Sequence, residues 1–139
     1  MIRIADESDT PELAAMLKEM YLEIFPDDAV DDKRVYYRAI IDHFRDDRDT
    51  VYLEDGKGFF IIRDETEPMA PTKRRYNGIR VYIRPEHRHS FLLAHFYKRL
   101  FSDFPKGDIL GVTEINSKHI QVLDKRHTLI AKVYKLERR

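Results

Sequence analysis

The chain has 139 residues, 42% of them apolar and 12% aromatic, enough for one packed domain over residues 1–139 and too few for two. Its 25 Lys and Arg balance 25 Asp and Glu, so there is no strong nucleic-acid signal, which ordinarily takes the form of a basic excess. With no cysteine, disulfides, thiolate zinc sites and thiol nucleophiles are excluded.

No apolar run approaches the roughly 18 residues of a membrane span. The first residues turn acidic too soon for a signal peptide. The expectation is a cytoplasmic protein with no membrane contact.

Ile2 and Ile4 alternate around Arg3 and predict a short first strand. Thr10-Pro11-Glu12 predicts a helix start, with Thr10 as N-cap and Pro11 at the first helical position, where a missing N–H costs nothing. Leu13, Met16, Leu17, Met20, Tyr21 and Ile24 follow at spacings of three and four and make one apolar stripe. Pro26-Asp27-Asp28 breaks that helix. A second helix is predicted from Asp31 or Asp32, with Val35, Tyr36, Ile40 and Phe44 facing inward. His43 and His95 read as ordinary helix-surface residues.

Residues 50–53 and 58–63 flank Asp55-Gly56, a strong hairpin signal. The next strand is predicted over 77–83. Between them lie about a dozen irregular residues with Pro68, Pro71 and the run Lys73-Arg74-Arg75. That run reads either as a solvated tip or as a site for a phosphate, an acidic partner or RNA.

The strand ending at Ile83 leads through Arg84-Pro85-Glu86-His87-Arg88-His89 into a helix capped by Ser90, with Leu92, Leu93, Phe96, Tyr97 and Leu100 on its buried side. A strand over 108–114 follows. Strand, helix, strand with short links predicts parallel neighbours and a right-handed crossover. A short helix over 117–123, N-capped by Asn116, and a last strand over 128–136 complete the order β-α-α-β-β-β-α-β-α-β. The fold class is therefore α/β with a mixed sheet.

That order, together with the opening Ile2-Arg3-Ile4-Ala5-Asp6-Glu7-Ser8-Asp9, resembles the GNAT superfamily of acyl-CoA-dependent N-acyltransferases over nearly the whole chain. Val81-Tyr82-Ile83-Arg84-Pro85-Glu86-His87-Arg88 resembles the family's strand and loop that approach the CoA pyrophosphate. Asn116, before a short amphipathic helix ending in Leu123-Asp124-Lys125, resembles its C-terminal motif.

The resemblance implies acetyl-CoA as cofactor, with Tyr82, Ile83, Arg88, His89, Ser90 and Asn116 on its binding side. It also implies a small-molecule amine or a protein amino group as acceptor. A carboxylate takes the amine's proton in this family, and Glu114, at the end of its strand, is the first candidate. A tyrosine commonly serves as acid, but the family's position falls on Leu123, which leaves Tyr97, Tyr82 or Tyr134, with Tyr97 placed first.

Other departures matter. The family's two small loop positions fall on Phe91 and Leu93. Either the Phe91 ring stands where the pyrophosphate should approach, with a Ser90 hydroxyl in partial compensation, or it points away and only the amides face inward, or Ser90 merely caps the helix while Phe91 packs in the core. Asn116-x-x-His119-Ile120-x-x-Leu123 resembles some GNAT-like proteins of tailed phages, virion-associated ones included. The alternative function is thus a catalytically inactive GNAT-fold binding or structural protein. His87, His89 and His119 show no recognised metal spacing; they suit anion binding or proton shuttling.

Overall fold

The computed structural model describes residues 1–111. The short strand Arg3–Ile4 (β1) runs into a single 3-10 turn, Glu7–Asp9, closed by a reciprocal box in which Asp6 accepts from the Ser8 N–H and Asp9 accepts from the Asp6 N–H. The same Asp9 carboxylate takes a two-pronged bond from Arg3, at 2.7 and 2.9 Å, and Arg3 also forks onto Asp55 in the hairpin turn. Because this turn precedes it, the helix Thr10–Ile24 (α1) starts at Thr10, which is its first residue and not its cap; Asp9 holds the cap position. The buried Thr10 hydroxyl donates to the Glu7 carbonyl at 2.6 Å.

Leu13, Met16 and Leu17 of α1 are buried as the periodicity predicts. Ile24, the last residue of the stripe, is exposed, since by then the helix has left the sheet it packs on. The helix Lys33–Arg45 (α2) is capped by Asp32, which accepts from the Arg34 N–H. Tyr36 and Ile40 are buried, Phe44 packs on the same core, and Val35 faces solvent, contrary to expectation.

His43 also departs from the sequence reading. It lies on the inner face of α2, only 8% exposed.

Strands Asp49–Glu54 (β2) and Gly58–Asp64 (β3) form the predicted hairpin, with Gly56 at φ 73° in its turn. Strand Arg75–Ile83 (β4) starts two residues before the predicted Asn77 and pairs antiparallel with β3. The register jumps from Ile61 opposite Arg80 to Ile62 opposite Gly78, which leaves Ile79 as a bulge. Strand Asp108–Gly111 (β5) pairs parallel with β4, Arg75 opposite Asp108 and Gly78 opposite Gly111. The predicted parallel unit is present; residues 112–114 of that strand, and the helix and strand predicted beyond them, lie outside the described residues.

Gly107, at φ 109°, feeds β5, and a Cβ there would sit 2.6 Å from the Arg74 carbonyl oxygen. The sheet order is β1-β2-β3-β4-β5.

Two cores form, one on each face of the sheet. Alternation along β2 and β3 sends Val51, Leu53, Phe59 and Ile61 towards α1 and α2, and Tyr52, Phe60 and Ile62 towards the third helix, Leu92–Asp103 (α3). Leu92, Leu93, Phe96 and Leu100 of α3 fill that second core, with Tyr97 packed at its side. Tyr52 donates its hydroxyl to Asp103 at 2.7 Å, and Arg99 bonds both Asp103 and the Ile2 carbonyl, so the C-terminal turn of α3 is fastened across the sheet to β1 and β2. None of the helices among the described residues is long and apolar enough to cross a membrane.

The basic run divides. Arg75 belongs to β4, Lys73 is exposed, and Arg74 pairs with Asp64 at 2.7 Å beside the Tyr76 ring. Arg74 is thus a tether between the ends of β3 and β4, while Lys73 and Arg75 are exposed.

Candidate active site

The loop after β4 is built as a succession of tight turns. Pro85–His87 form a 3-10 turn, with the His87 N–H on the Arg84 carbonyl, the Arg88 N–H on that of Pro85 and the Ser90 N–H on that of His87. The chain then enters α3 with Phe91 at the cap position, and its side chain offers the helix no acceptor. Ser90 does not hold that position as predicted; its hydroxyl donates to the His87 carbonyl and accepts from the Leu92 N–H at 3.3 Å. The first protein acceptor used beyond that point is the Phe91 carbonyl, taken by the His95 N–H. Among the described residues the N–H groups of Phe91, Leu93 and Ala94 have no protein acceptor. Free amides at the positive end of a helix dipole form an anion-binding surface.

The two bulky residues at the family's small positions part company. Leu93 turns into the core at 7% exposure and leaves the helix end clear. Phe91 is 79% exposed, so it does not pack in the core; its ring stands on the wall of a groove of about 830 Å³. That groove runs between the exposed side of α3 and the start of β1 with the β2–β3 turn. Among the described residues its ionisable side chains are Lys57, Lys98, Arg99, His87, His89 and His95, with Glu54 the one carboxylate. A divalent or trivalent anion at the mouth of α3 would meet a surface of its own opposite sign. No cluster of His, Asp and Glu suited to a metal ion occurs among the described residues.

Tyr82 is buried against α1 with its ring under the Arg88 guanidinium, 5.6 Å from centroid to carbon, while Ile83 faces the α3 core. Burial, then the Glu19 and Glu23 carboxylates, push the Tyr82 phenol upward. Arg88 is fully engaged within the protein: Nε donates to the Ile83 carbonyl at 2.8 Å, and the two terminal nitrogens fork onto Glu23 of α1 at 2.5 and 2.6 Å. Tyr97 presents its ring edge-on to Phe60 at 5.7 Å, and burial pushes its phenol upward, which keeps the proton on. Glu114, Asn116, His119, Leu123 and Tyr134 lie outside the described residues.

A partly buried polar chain on the opposite face escaped the sequence reading. Arg80 of β4 donates from Nη1 to the Tyr21 hydroxyl at 2.8 Å and from Nε to His43 Nε2 at 3.0 Å. His43 must therefore carry its proton on Nδ1, which donates to Asp49 at 2.8 Å, and Arg63 forks onto the same carboxylate. The bulge at Ile79 is what turns Arg80 to this face. No local motif signals such a chain, because its members come from α1, α2, β2, β3 and β4.

No family model matches the sequence, and no curated protein does. Solved structures do match. A predicted acetyltransferase from Clostridium acetobutylicum, determined with acetyl-CoA, is 14% identical and superposes with a TM-score of 0.72 over 99% of this chain and 95% of its own. The fold is that of the GNAT acetyltransferases. A ribosomal-protein-alanine N-acetyltransferase from Brucella melitensis biovar Abortus gives a TM-score of 0.69 at 14% identity, covering 99% of this chain and 97% of that one. AAC(6')-Iy, in complex with the bisubstrate analogue CoA-S-monomethyl-acetylneamine, gives 0.71 at 11% identity, covering 100% and 97%. At these identities the GNAT likeness is one of fold. The geometry of this chain's own loop has to carry the rest.

Proposed function

We propose that the protein is an acyl-CoA-dependent N-acyltransferase that moves an acetyl group onto the amino group of a small molecule or a protein. The observation that carries this reading is the start of α3, where among the described residues three amides have no protein acceptor, with a basic groove beside it. Acetyl-CoA, as found with the Clostridium acetobutylicum structure, suits that end in charge. Bound there, it supplies an activated acetyl thioester.

The amides of Phe91, Leu93 and Ala94 would hold the pyrophosphate, with Lys57 and Lys98 balancing its charge and the groove histidines offering ring N–H donors. His89 and Ser90 lie at the turn into α3; Tyr82 and Ile83, their side chains buried, would serve through backbone groups, and Asn116 is assigned to the same side. Glu114 takes the proton from the attacking amine, and Tyr97, held protonated by burial, is the proton donor. We infer a cytoplasmic setting, one that supplies acetyl-CoA.

A second reading, a GNAT-fold binding module without chemistry, is favoured by the Phe91 ring on the groove wall. Turnover separates the two. Incubation with acetyl-CoA and a panel of primary amines and N-terminal peptides is expected to release free thiol in an acceptor-dependent manner. Glu114→Gln should lower that rate by about a hundredfold or more, as loss of a general base does. Thiol release at the uncatalysed rate with every acceptor would leave the binding module as the reading.

A further inference from the structure

Two arginines of the β4–α3 loop are held by two glutamates of α1. Glu19 and Glu23 are four residues apart and so lie on one face of the helix, one turn above the other. Arg84 and Arg88 are also four apart, with the 3-10 turn Pro85–His87 between them. Arg84 Nε donates to Glu19 at 3.1 Å and its Nη1 to the Gly56 carbonyl at 3.1 Å, while the Arg84 N–H holds the Lys57 carbonyl. Arg88 makes the two-pronged bond to Glu23, the bond to the Ile83 carbonyl and the contact over Tyr82 already described.

All three guanidinium nitrogens of Arg88 are spent on protein acceptors. A group so over-determined is built as a strut, since a single exposed ion pair would leave a long side chain free to wander. The pairs are 65 residues apart in sequence, so they join elements that local structure does not join.

We propose that Glu23, backed by Glu19, is a positioning residue for the loop, and that Arg88 serves the anion site through this clamp and not by touching the anion. The loop's amides face a ligand only while the turns from Arg84 to Ser90 keep their register, and the clamp fixes both ends of the 3-10 turn to α1. The inference rests on the reading of the α3 start as a CoA site. It places the determinant of that site's affinity on a helix that does not form its wall.

Exchanging the charges tests it. The unaltered protein, Arg88→Glu, Glu23→Arg and the double exchange are compared by CoA titration and by amide hydrogen exchange over residues 85–93 without ligand. Each single change is expected to weaken CoA binding about tenfold or more, as small displacements of binding groups do, and to speed amide exchange. The double exchange should recover a clear part of both losses, because the ion pair is rebuilt with its polarity reversed although the bond to the Ile83 carbonyl is not. Were Arg88 a phosphate ligand, the double exchange would recover amide protection yet bind CoA no better than Arg88→Glu, and the proposal would fall. It would fall equally if Arg88→Glu left amide exchange unchanged. Absence of CoA binding by the unaltered protein would remove the proposed function alone, and the exchange measurements would then decide the clamp.

Discussion

Asp49→Ala is expected to destabilise the protein by about 3–5 kcal/mol, the range for removing one partner of a buried charge pair. The Asp49 carboxylate has no exposed side-chain surface and is the one acceptor shared by His43 Nδ1 and the Arg63 fork. Its loss leaves a buried imidazole N–H without an acceptor and strands Arg63 with Asp46 at 3.6 Å. Denaturant unfolding of the two proteins measures the difference, and a cost below about half a kcal/mol would place the chain of bonds among ordinary surface contacts.

The same carboxylate gives the acid limb a sign. Burial works to raise the Asp49 carboxyl, but the bonds from Arg63 and His43 outweigh it and hold the group below the usual carboxylate value. A carboxyl lowered on folding contributes stability that is complete above about pH 4 and is lost as pH falls through its folded value. The acid-induced loss should therefore be smaller in Asp49→Ala than in the unaltered protein.

Phe96→Ala should cost about 3–5 kcal/mol and Leu100→Ala about 2–5 kcal/mol. Both side chains are fully buried, and Phe96 stacks at a tilt on Phe60 with centroids 6.2 Å apart. These residues seat α3 on β2 and β3, and α3 carries the free amides at its other end. The truncations also report on function, for a helix that settles into the cavity takes its N-terminus with it. Thermal unfolding of each variant measures the cost, and values near zero would mean that a different face of α3 meets the sheet.

The elements legible in the sequence are those that one period or one turn encodes. The three-and-four spacing in α1 and α3 finds Leu13, Met16, Leu17, Leu93, Phe96 and Leu100, and Asp55-Gly56 finds the β2–β3 hairpin. The parallel β4–β5 pair follows from connection length. Errors arise where burial depends on what lies across the gap. Ile24 continues its stripe beyond the sheet that would cover it, Val35 lies beside the face that Tyr36, Ile40 and His43 bury, and His43 is inside because Asp49 and Arg80 meet it there.

Thr10 reads as a cap because Thr-Pro is a good helix start. The box between Asp6 and Asp9 moves the start forward by adding a turn. At the site, Arg88 is legible as a residue that matters, but its partner Glu23 is not, since nothing local pairs residues 65 apart. Phe91 is the opposite case. A phenylalanine before a helix reads as core or obstruction, and it is exposed because Leu92 and Leu93 already occupy the inner face of the first turn.

Thermal unfolding with and without acetyl-CoA tests the central claim, that the start of α3 is a cofactor cradle. At about a hundredfold over its Kd the ligand is expected to stabilise the native protein by roughly 2.7 kcal/mol, a rise in Tm of several degrees for a chain of this size. The rise should be larger in Phe91→Gly, which removes the ring from the groove wall beside the free amides. No rise at millimolar acetyl-CoA in either protein would contradict the account and leave a GNAT fold without a cofactor.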